Sequence, residues 1–357
     1  MFKSRRFWIG LAVTVLFLGL LFYRLDYSST WDALRSANYV YFLPALALYF
    51  IAVFFRTLRW RFLLAPLGSF KLGRLYSIVV IGYMANNLLP LRLGELVRAY
   101  YIGEREKVSA SASLATIVLE RVFDGLALLL FLAVAAVGLA VAEDVDVLGK
   151  GNGVMSLLVA VLLAALFVVV LAALTLVARS RGFSDRLVAL AGRLPRAGPQ
   201  VGALLMRFLG GLESLRSPRR QASVLLLSAP VWLAEGAMYL VVAFSFGIQD
   251  QLSALALVLA VMFLVTAAAN LVLSLPSSQG GIGPFELLTK LALVLVGIKE
   301  SVAVAYAVGL HLLLLVPVTL LGLAFLWRDN VSLAQLARRG RVEQASVAVP
   351  PPGGGGQ

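Results

Sequence analysis

Two stretches of a mostly apolar chain carry the residue types that bind charged groups. The first, NNLLPLRLGELVR at 86–98, holds Asn86, Asn87, Arg92, Glu95 and Arg98. The second, LSLPSSQGGIGPFE at 273–286, holds Ser277, Gly280, Gly281, Gly283 and Glu286. An ionisable residue follows each stretch at equal distance: Glu120 comes 25 positions after Glu95, and His311 comes 25 after Glu286. Guanidinium groups match phosphate geometry, so Arg92 and Arg98 suit an anionic headgroup. Arg92, Glu95 and Arg98 fall near one face of a helix, where they could equally neutralise one another or snorkel from an interfacial helix. The glycines ahead of Pro284 would expose backbone N–H groups at a helix N-terminus, a ready anion site. They would also serve a tight turn that lets two half-helices pack closely.

The residues that follow each stretch pose a pairing problem. Glu120 and Asp124 share a helix face and need a cation. Arg121 points about 100° away from Glu120 on the helix, so Arg92 or Arg59 from other elements are the expected partners. A transport site and a structural ion-pair knot both fit. His311 could bond a phosphate, pair with Glu286, or act as a packing donor. Lys290, one turn after Glu286, would pair with it at helical spacing. The chain has no cysteine and one histidine. That spacing fits neither metal ligation nor a catalytic triad, and there is no phosphate-cradling loop of the nucleotide-hydrolase type. No catalytic residue, metal or cofactor is expected.

These residues must be positioned by membrane helices. The chain has 357 residues, 61% of them hydrophobic, and a mean hydropathy of +0.93. Uncharged runs at 154–178, 252–275 and 301–327 exceed the roughly 20 residues that cross a bilayer. The runs at 7–23 and 40–55 are shorter but of spanning order, and 221–246 crosses with one charge, Glu235. The net charge of +13 gathers in loops, as topology requires, and does not call for nucleic acid. Lys3, Arg5 and Arg6 place the N-terminus in the cytoplasm. The first run is an anchor, because RLDYSSTWDALRSANY follows it in place of a small-residue cleavage site. Arg56, Arg59, Arg61, Lys71 and Arg74 form the next basic cluster, and 179–220 carries nine arginines. The 143–150 loop is acidic.

Charge and length agree if each Leu-Pro break is a re-entrant hairpin, at about 75–107 and 274–299. Irregular backbone at membrane depth is tolerated only inside protein or beside a wet cavity. The expected architecture is therefore an all-α polytopic membrane protein with about six full transmembrane helices. Two re-entrant half-helix hairpins enter from opposite sides in an inverted repeat, and both termini are cytoplasmic in the cell membrane. Residues 1–330 make the membrane domain, with a basic, amphipathic cytoplasmic loop at 179–220 that suits anionic lipid. Residues 331–357, ending in PPPGGGGQ, make a basic, disordered tail.

The stretches RTLRWRFLL (56–64), NNLLPLRLGELVRAYYI (86–102), LERVFDG (119–125) and LPSSQGGIGPFE (275–286) resemble the flippase-like domain family. That family is also called the lysylphosphatidylglycerol synthase transmembrane region. It includes the membrane half of the bacterial multiple peptide resistance factor, and archaeal relatives are linked to polyprenyl-phosphate-linked sugars. Only 30 residues follow Trp327, so the soluble aminoacyl-transferase domain of that factor is not expected here. The resemblance implies a lipid-handling module, carried onto Asn87, Arg92, Glu95, Glu120, Arg121, Asp124, Ser277, Gly280, Gly281, Gly283 and Glu286. Arg98 and His311 join the candidate set from their positions alone.

The expected function is movement of an anionic phospholipid or polyprenyl-phosphate-linked lipid between leaflets, without enzymatic chemistry. Two alternatives stay open. One is an intramembrane enzyme on a lipid phosphate, with Glu95, Glu120 or His311 in acid–base roles; the other is a proton-coupled solute transporter. The expected partners are membrane lipids with anionic headgroups. A second copy of the chain and a separate lipid-modifying enzyme are left open.

Overall fold

The structure is a computed structural model, which describes residues 5–23, 25–89, 93–141, 153–179, 217–274 and 279–329, with 182, 186, 188–190 and 202 besides. Arg92, Ser277, the acidic 143–150 loop, most of the 179–220 loop and the 331–357 tail lie outside the described residues. Every regular element among the described residues is helical. Helix α1 runs Arg5–Phe22 and α2 runs Tyr27–Ser36. Asp26 caps α2, accepting from the Ser29 N–H at 3.1 Å and from the Ser28 hydroxyl at 2.7 Å, which satisfies an amide the helix leaves open. Helices α3 (Phe42–Leu64) and α4 (Leu72–Leu88) follow. Leu89, ahead of Pro90, is extended (φ −107°, ψ 142°). A proline disfavours helical geometry in the residue before it, so the sequence break is also the end of α4.

Beyond the break come α5 (Gly94–Glu106), α6 (Ala110–Val141), α7 (Gly153–Arg179) and α8 (Pro218–Ser245). Helix α9 (Leu255–Ser274) precedes the second break, a 3₁₀ turn at Gln279–Gly281. Helices α10 (Pro284–Leu295) and α11 (Glu300–Arg328) complete the set. Among the described residues, five segments are long and apolar enough to cross a membrane: Tyr39–Leu67 around α3, α6, α8, α9 and α11. About six full transmembrane helices were expected, and five segments meet the length and composition among the described residues. Helix α9 spans 20 residues and α10 only 12, so the second broken element has one long arm and one short arm. The outward sides of these helices are apolar, with Leu162, Val169, Leu226, Leu233 and Leu320 each more than half exposed. Apolar patches of this extent need lipid or protein cover.

Packing follows a pattern of exchange. Helices α3 and α8 lie along each other, α4 packs on α11, and α9 packs on α6. The neighbour contacts match too: α4–α5 and α5–α6 on one side, α9–α10 and α10–α11 on the other. Small residues bring the exchanged helices close. A Cβ on Gly322 would lie 2.5 Å from Met84 Cβ, and one on Gly138 would lie 2.6 Å from Ala260 Cβ. Within the first broken pair, a Cβ on Gly94 would lie 2.0 Å from the Gly82 carbonyl oxygen. Close backbone approach of this kind is how apolar helices associate without a hydrophobic drive from water.

The ends of each broken pair are tied together. Arg74, at the start of α4, meets Glu106, at the end of α5, at 2.6 Å. The Lys299 N–H, just after α10, donates to Gln251 Oε1, just before α9, at 3.3 Å. Helix α11 connects both places. Its N-terminal Glu300 pairs with Lys290 of α10 at 2.5 Å. At its other end, Asp329 accepts from the Tyr101 hydroxyl at 2.8 Å and pairs with Arg105 of α5 at 3.0 Å. At 29 residues and 1.5 Å each, about 43 Å separates the two closures along α11.

Candidate functional site

A buried ion network joins α3, α5, α6 and α8. Arg59, fully buried, places Nη2 2.8 Å from Asp124 Oδ1, Nη1 2.8 Å from the Ser228 hydroxyl, and Nε 3.9 Å from Glu120 Oε1. One turn earlier, Arg56 hydrogen-bonds Glu235, approaches Asp124 Oδ2 at 3.5 Å, and lies 4.9 Å over the Trp232 ring. The Trp232 indole N–H donates to Asp124 Oδ1 at 3.2 Å. Arg98 from α5 sits 2.7 Å from Glu120 Oε2 and 3.7 Å over Trp60. Arg121 reaches Glu95 and Asp124, each at 3.5 Å. Four guanidinium groups thus face four carboxylates. Charges this deep are tolerated because they are paired and because aromatic faces take the cations.

The expected partnering of Glu120 and Asp124 by a cation from another element holds: Arg59 meets both. Arg121 is drawn in as well, because its long side chain reaches Asp124 at i+3. Arg56 and Arg59 were read as part of a basic loop, and that reading is corrected here. Both lie inside α3, buried, with their charge answered by Asp124, Glu120 and Glu235.

The second break carries a smaller cluster. His311 Nδ1 lies 2.5 Å from Glu286 Oε1, and His311 Nε2 lies 3.0 Å from the Gly280 carbonyl oxygen. Phe285 stacks on the imidazole with ring centroids 4.2 Å apart. The other Glu286 oxygen accepts the Gly283 N–H at 2.7 Å, so that amide is already bonded within the hairpin. Lys290 pairs with Glu300 instead of Glu286. Gly280, Gly281 and Gly283 take φ of 61°, 77° and 98°, the left-handed region where glycine carries no Cβ penalty.

The two breaks meet. Asn87, at the end of α4, donates to Thr319 Oγ1 of α11 at 2.9 Å, and its backbone lies against Gly280. Asn86 Oδ1 accepts the Gly94 N–H at 2.8 Å and so closes the first tip. Between the tips and the ion network lies a cavity of about 140 Å³. Tyr49, Arg56, Tyr83, Asn86, Asn87, Arg121 and Asp124 line it from α3, α4 and α6. Trp232, Glu235, Asn270, Gly280, Gly281 and His311 line it from the other half. Arg121 Nε and Asp124 Oδ2 are buried without a hydrogen-bond partner, which leaves bonding capacity in residues of this wall. The volume is below the roughly 300–1,000 Å³ of ordinary small-molecule sites.

Of the residues singled out by sequence, Asn87, Arg121, Asp124, Gly280, Gly281 and His311 line the cavity. Glu286 stands behind His311, and Glu95 sits beside Arg121. Glu120 and Arg98 pair with each other within the network, and Gly283 packs under α1, where a Cβ would lie 2.9 Å from Phe17 Cβ. Arg92 and Ser277 lie outside the described residues. Asn86, named with the first break, lines the cavity too, while sequence reasoning passed over Tyr49, Arg56, Tyr83, Trp232, Glu235 and Asn270 as site residues. The signal was present for two of them: Glu235 is the one charge in the run at 221–246 and Asn270 is an amide inside the apolar run at 252–275, where an uncompensated polar group is costly.

Comparison with known proteins gives the chain's family. The glycosyltransferase AglD of Haloferax volcanii is 27% identical over 320 residues, covering 85% of this chain and 51% of that protein. The chain therefore spans about half the length of this relative. A UPF0104 membrane protein of Methanothermobacter thermautotrophicus is 25% identical over 307 residues, covering 82% of this chain and 86% of the relative. A shorter match, 28% over 133 residues, covers 36% of this chain and 39% of the UPF0104 membrane protein MJ1595 of Methanocaldococcus jannaschii. Residues 7–322, which hold both breaks and the cavity between them, match the lysylphosphatidylglycerol synthase TM region, and the chain belongs to that family of integral membrane proteins.

Proposed function

We propose that the protein moves a lipid with an anionic headgroup between leaflets, the headgroup passing through the cavity while its acyl chains stay in the bilayer. The observation that carries this is the meeting of two helix breaks at a polar cavity inside an apolar bundle. Breaks of this kind in corresponding halves are the usual position of a transport site. The exchanged packing of α4 on α11 and α9 on α6 supports an inverted repeat. The tied ends of each pair, at opposite ends of α11, support re-entrant hairpins entering from opposite sides. Arg74, paired with Glu106 at the end of α5, and Arg105 and Arg328, both paired with Asp329, collect basic residues at that end, which supports a cytoplasmic face there.

The headgroup is read from the wall. Arg121 offers a guanidinium to a phosphate, while Asn86, Asn87, Asn270 and Tyr83 offer amides and a phenol suited to hydroxyl groups. A phospholipid and a sugar-bearing lipid phosphate share this chemistry, and the glycosyltransferase name of one relative favours testing both. An apolar groove of about 180 Å³ between α8 and α9, lined by Leu233, Leu240, Met262 and Phe263, would seat an acyl chain. Purified protein in vesicles should transfer labelled phosphatidylglycerol or polyprenyl phosphate across the bilayer. Arg121→Gln should slow transfer per folded molecule by roughly 10- to 150-fold, the effect of losing one charge-assisted bond of ~1.5–3 kcal/mol. Equal transfer by protein-free vesicles would defeat the proposal.

The His311–Glu286 pair favours a second reading, acid–base chemistry on a lipid phosphate. A change in lipid mass after incubation with the protein would select it.

A further inference from the structure

The hydrogen-bond partners of His311 demand more protons than a neutral imidazole and a carboxylate supply. Nε2 faces the Gly280 carbonyl oxygen at 3.0 Å, and a carbonyl only accepts, so Nε2 must carry hydrogen. A neutral ring then has a bare Nδ1, which faces Glu286 Oε1 at 2.5 Å. An ionised carboxylate also only accepts. One additional proton must therefore lie between Nδ1 and Oε1, as imidazolium with carboxylate or as neutral imidazole with carboxylic acid. The second Glu286 oxygen is occupied by the Gly283 N–H at 2.7 Å, which fixes the carboxyl group in this orientation.

Both partners of the ring belong to the second hairpin, and the ring itself belongs to α11. We propose that this proton latches the hairpin tip to α11, and that its release unlatches the tip and opens the cavity, making the protein's transport cycle proton-coupled. When the proton leaves to water, Nδ1 and Oε1 confront each other with lone pairs only, or the Gly280 carbonyl loses its donor. Either way one of the two contacts becomes repulsive. Gly280, Gly281 and Gly283 hold positive φ, so backbone rotation at the tip meets no Cβ clash within these residues.

The charged and titratable groups facing His311 across the cavity are Arg56 and Tyr49 of α3, Tyr83 of α4, Arg121 and Asp124 of α6, and Glu235 of α8. Arg56 is paired with Glu235, and Arg121 with Asp124, so neither carboxylate is free to take the place of Glu286. Lys290 of α10 is held by Glu300. The proton is held by local geometry.

The coupling to transport rests on the lipid reading above; the latch itself does not. Glu286→Gln supplies both contacts without the additional proton: its carbonyl accepts from Gly283, and its amide donates to Nδ1. It should stay latched at every pH. His311→Phe keeps the stack on Phe285 but loses both bonds, and should stay open. The chain lacks cysteine, so Ile282→Cys reports tip access to an impermeant thiol reagent in each background. The labelling rate divided by that of the Glu286→Gln background should rise as pH increases, and the His311→Phe background should label fast throughout. A ratio that stays flat from mildly acidic to alkaline pH overturns the latch. With only one histidine in the chain, ¹⁵N-histidine spectra report His311 alone. At neutral pH Nε2 should carry hydrogen and Nδ1 should share one. A bare Nε2 overturns the proposal even if His311→Phe fails to fold. A pH-dependent ratio with no lipid movement in vesicles keeps the latch and discards the transport reading. Lipid movement with a flat ratio does the reverse.

Discussion

Asp124 concentrates the logic of the site in one side chain. It accepts from Arg59 and from the Trp232 indole, and lies within 3.5 Å of both Arg56 and Arg121. Three guanidinium groups from two helices are oriented by one carboxylate, so its removal leaves several buried cations under-compensated. Asp124→Asn should therefore cost about 3–5 kcal/mol, the usual loss when a buried pair is broken from one side. Arg74→Ala, which removes an exposed pair with Glu106, should cost under about 1 kcal/mol. Unfolding of both variants in denaturing detergent checks the contrast. Similar small losses for the two would show that the network is solvated and that its charges are available to a ligand. The sequence exposed Glu120, Arg121 and Asp124 as a cluster needing cations, because carboxylates one turn apart repel. It offered Arg92 or Arg59 as partners without deciding between them, and it did not offer Arg56, since the partners are 61 and more positions away (Arg59 to Glu120). Arginines at the end of an apolar run look the same whether they face headgroups or a buried acid.

At the scale of elements, the first hairpin depends on two glycines. Gly82 of α4 and Gly94 of α5 let the arms cross so closely that a Cβ on Gly94 would lie 2.0 Å from a backbone oxygen and 2.6 Å from Asn86 Oδ1. Backbone cannot rotate away as a side-chain end can. Gly94→Ala should therefore cost more than the roughly 1–3 kcal/mol of ordinary overpacking, and should separate the arms. By contrast, Gly73→Ala, where a Cβ meets nothing within 4 Å, should be neutral or slightly stabilising in a helix. Melting temperatures of the two variants decide it, and equal values would remove the crossing as a determinant of the hairpin. The breaks themselves were legible, because a proline after an apolar run ends a helix by sterics. The unequal arms of the second hairpin were not. An apolar arm beside the break and a full crossing have the same composition, so the sequence placed the second hairpin at about 274–299, and the bond between Gln251 and Lys299 ties the end of α10 to the start of α9 instead.

At the scale of the whole molecule, the cavity exists because two tips from separate halves touch. Asn87 lies at one tip and Gly280 at the other, and an ideal Cβ on Gly280 lies 3.7 Å from Asn87 Cα. A disulfide needs Cα atoms about 4.4–6.8 Å apart, so Asn87→Cys with Gly280→Cys places two thiols within reach. Residue 280 sits at φ 61°, a strain of about 1–3 kcal/mol for a side chain that the bond can hold. If the headgroup passes between the tips, oxidation of this double variant should stop lipid transfer in vesicles, and reductant should restore it. Each single variant should keep transferring under the same oxidant, which separates the cross-link from the loss of the Asn87 amide. Oxidation also should not disturb the ion network, because none of its pairs involves either residue. If the oxidised protein, shown by mass to be fully cross-linked, still moves lipid at the rate of the reduced form, the route does not run between the hairpins. The ion network and the apolar groove between α8 and α9 would then be where a path has to be sought.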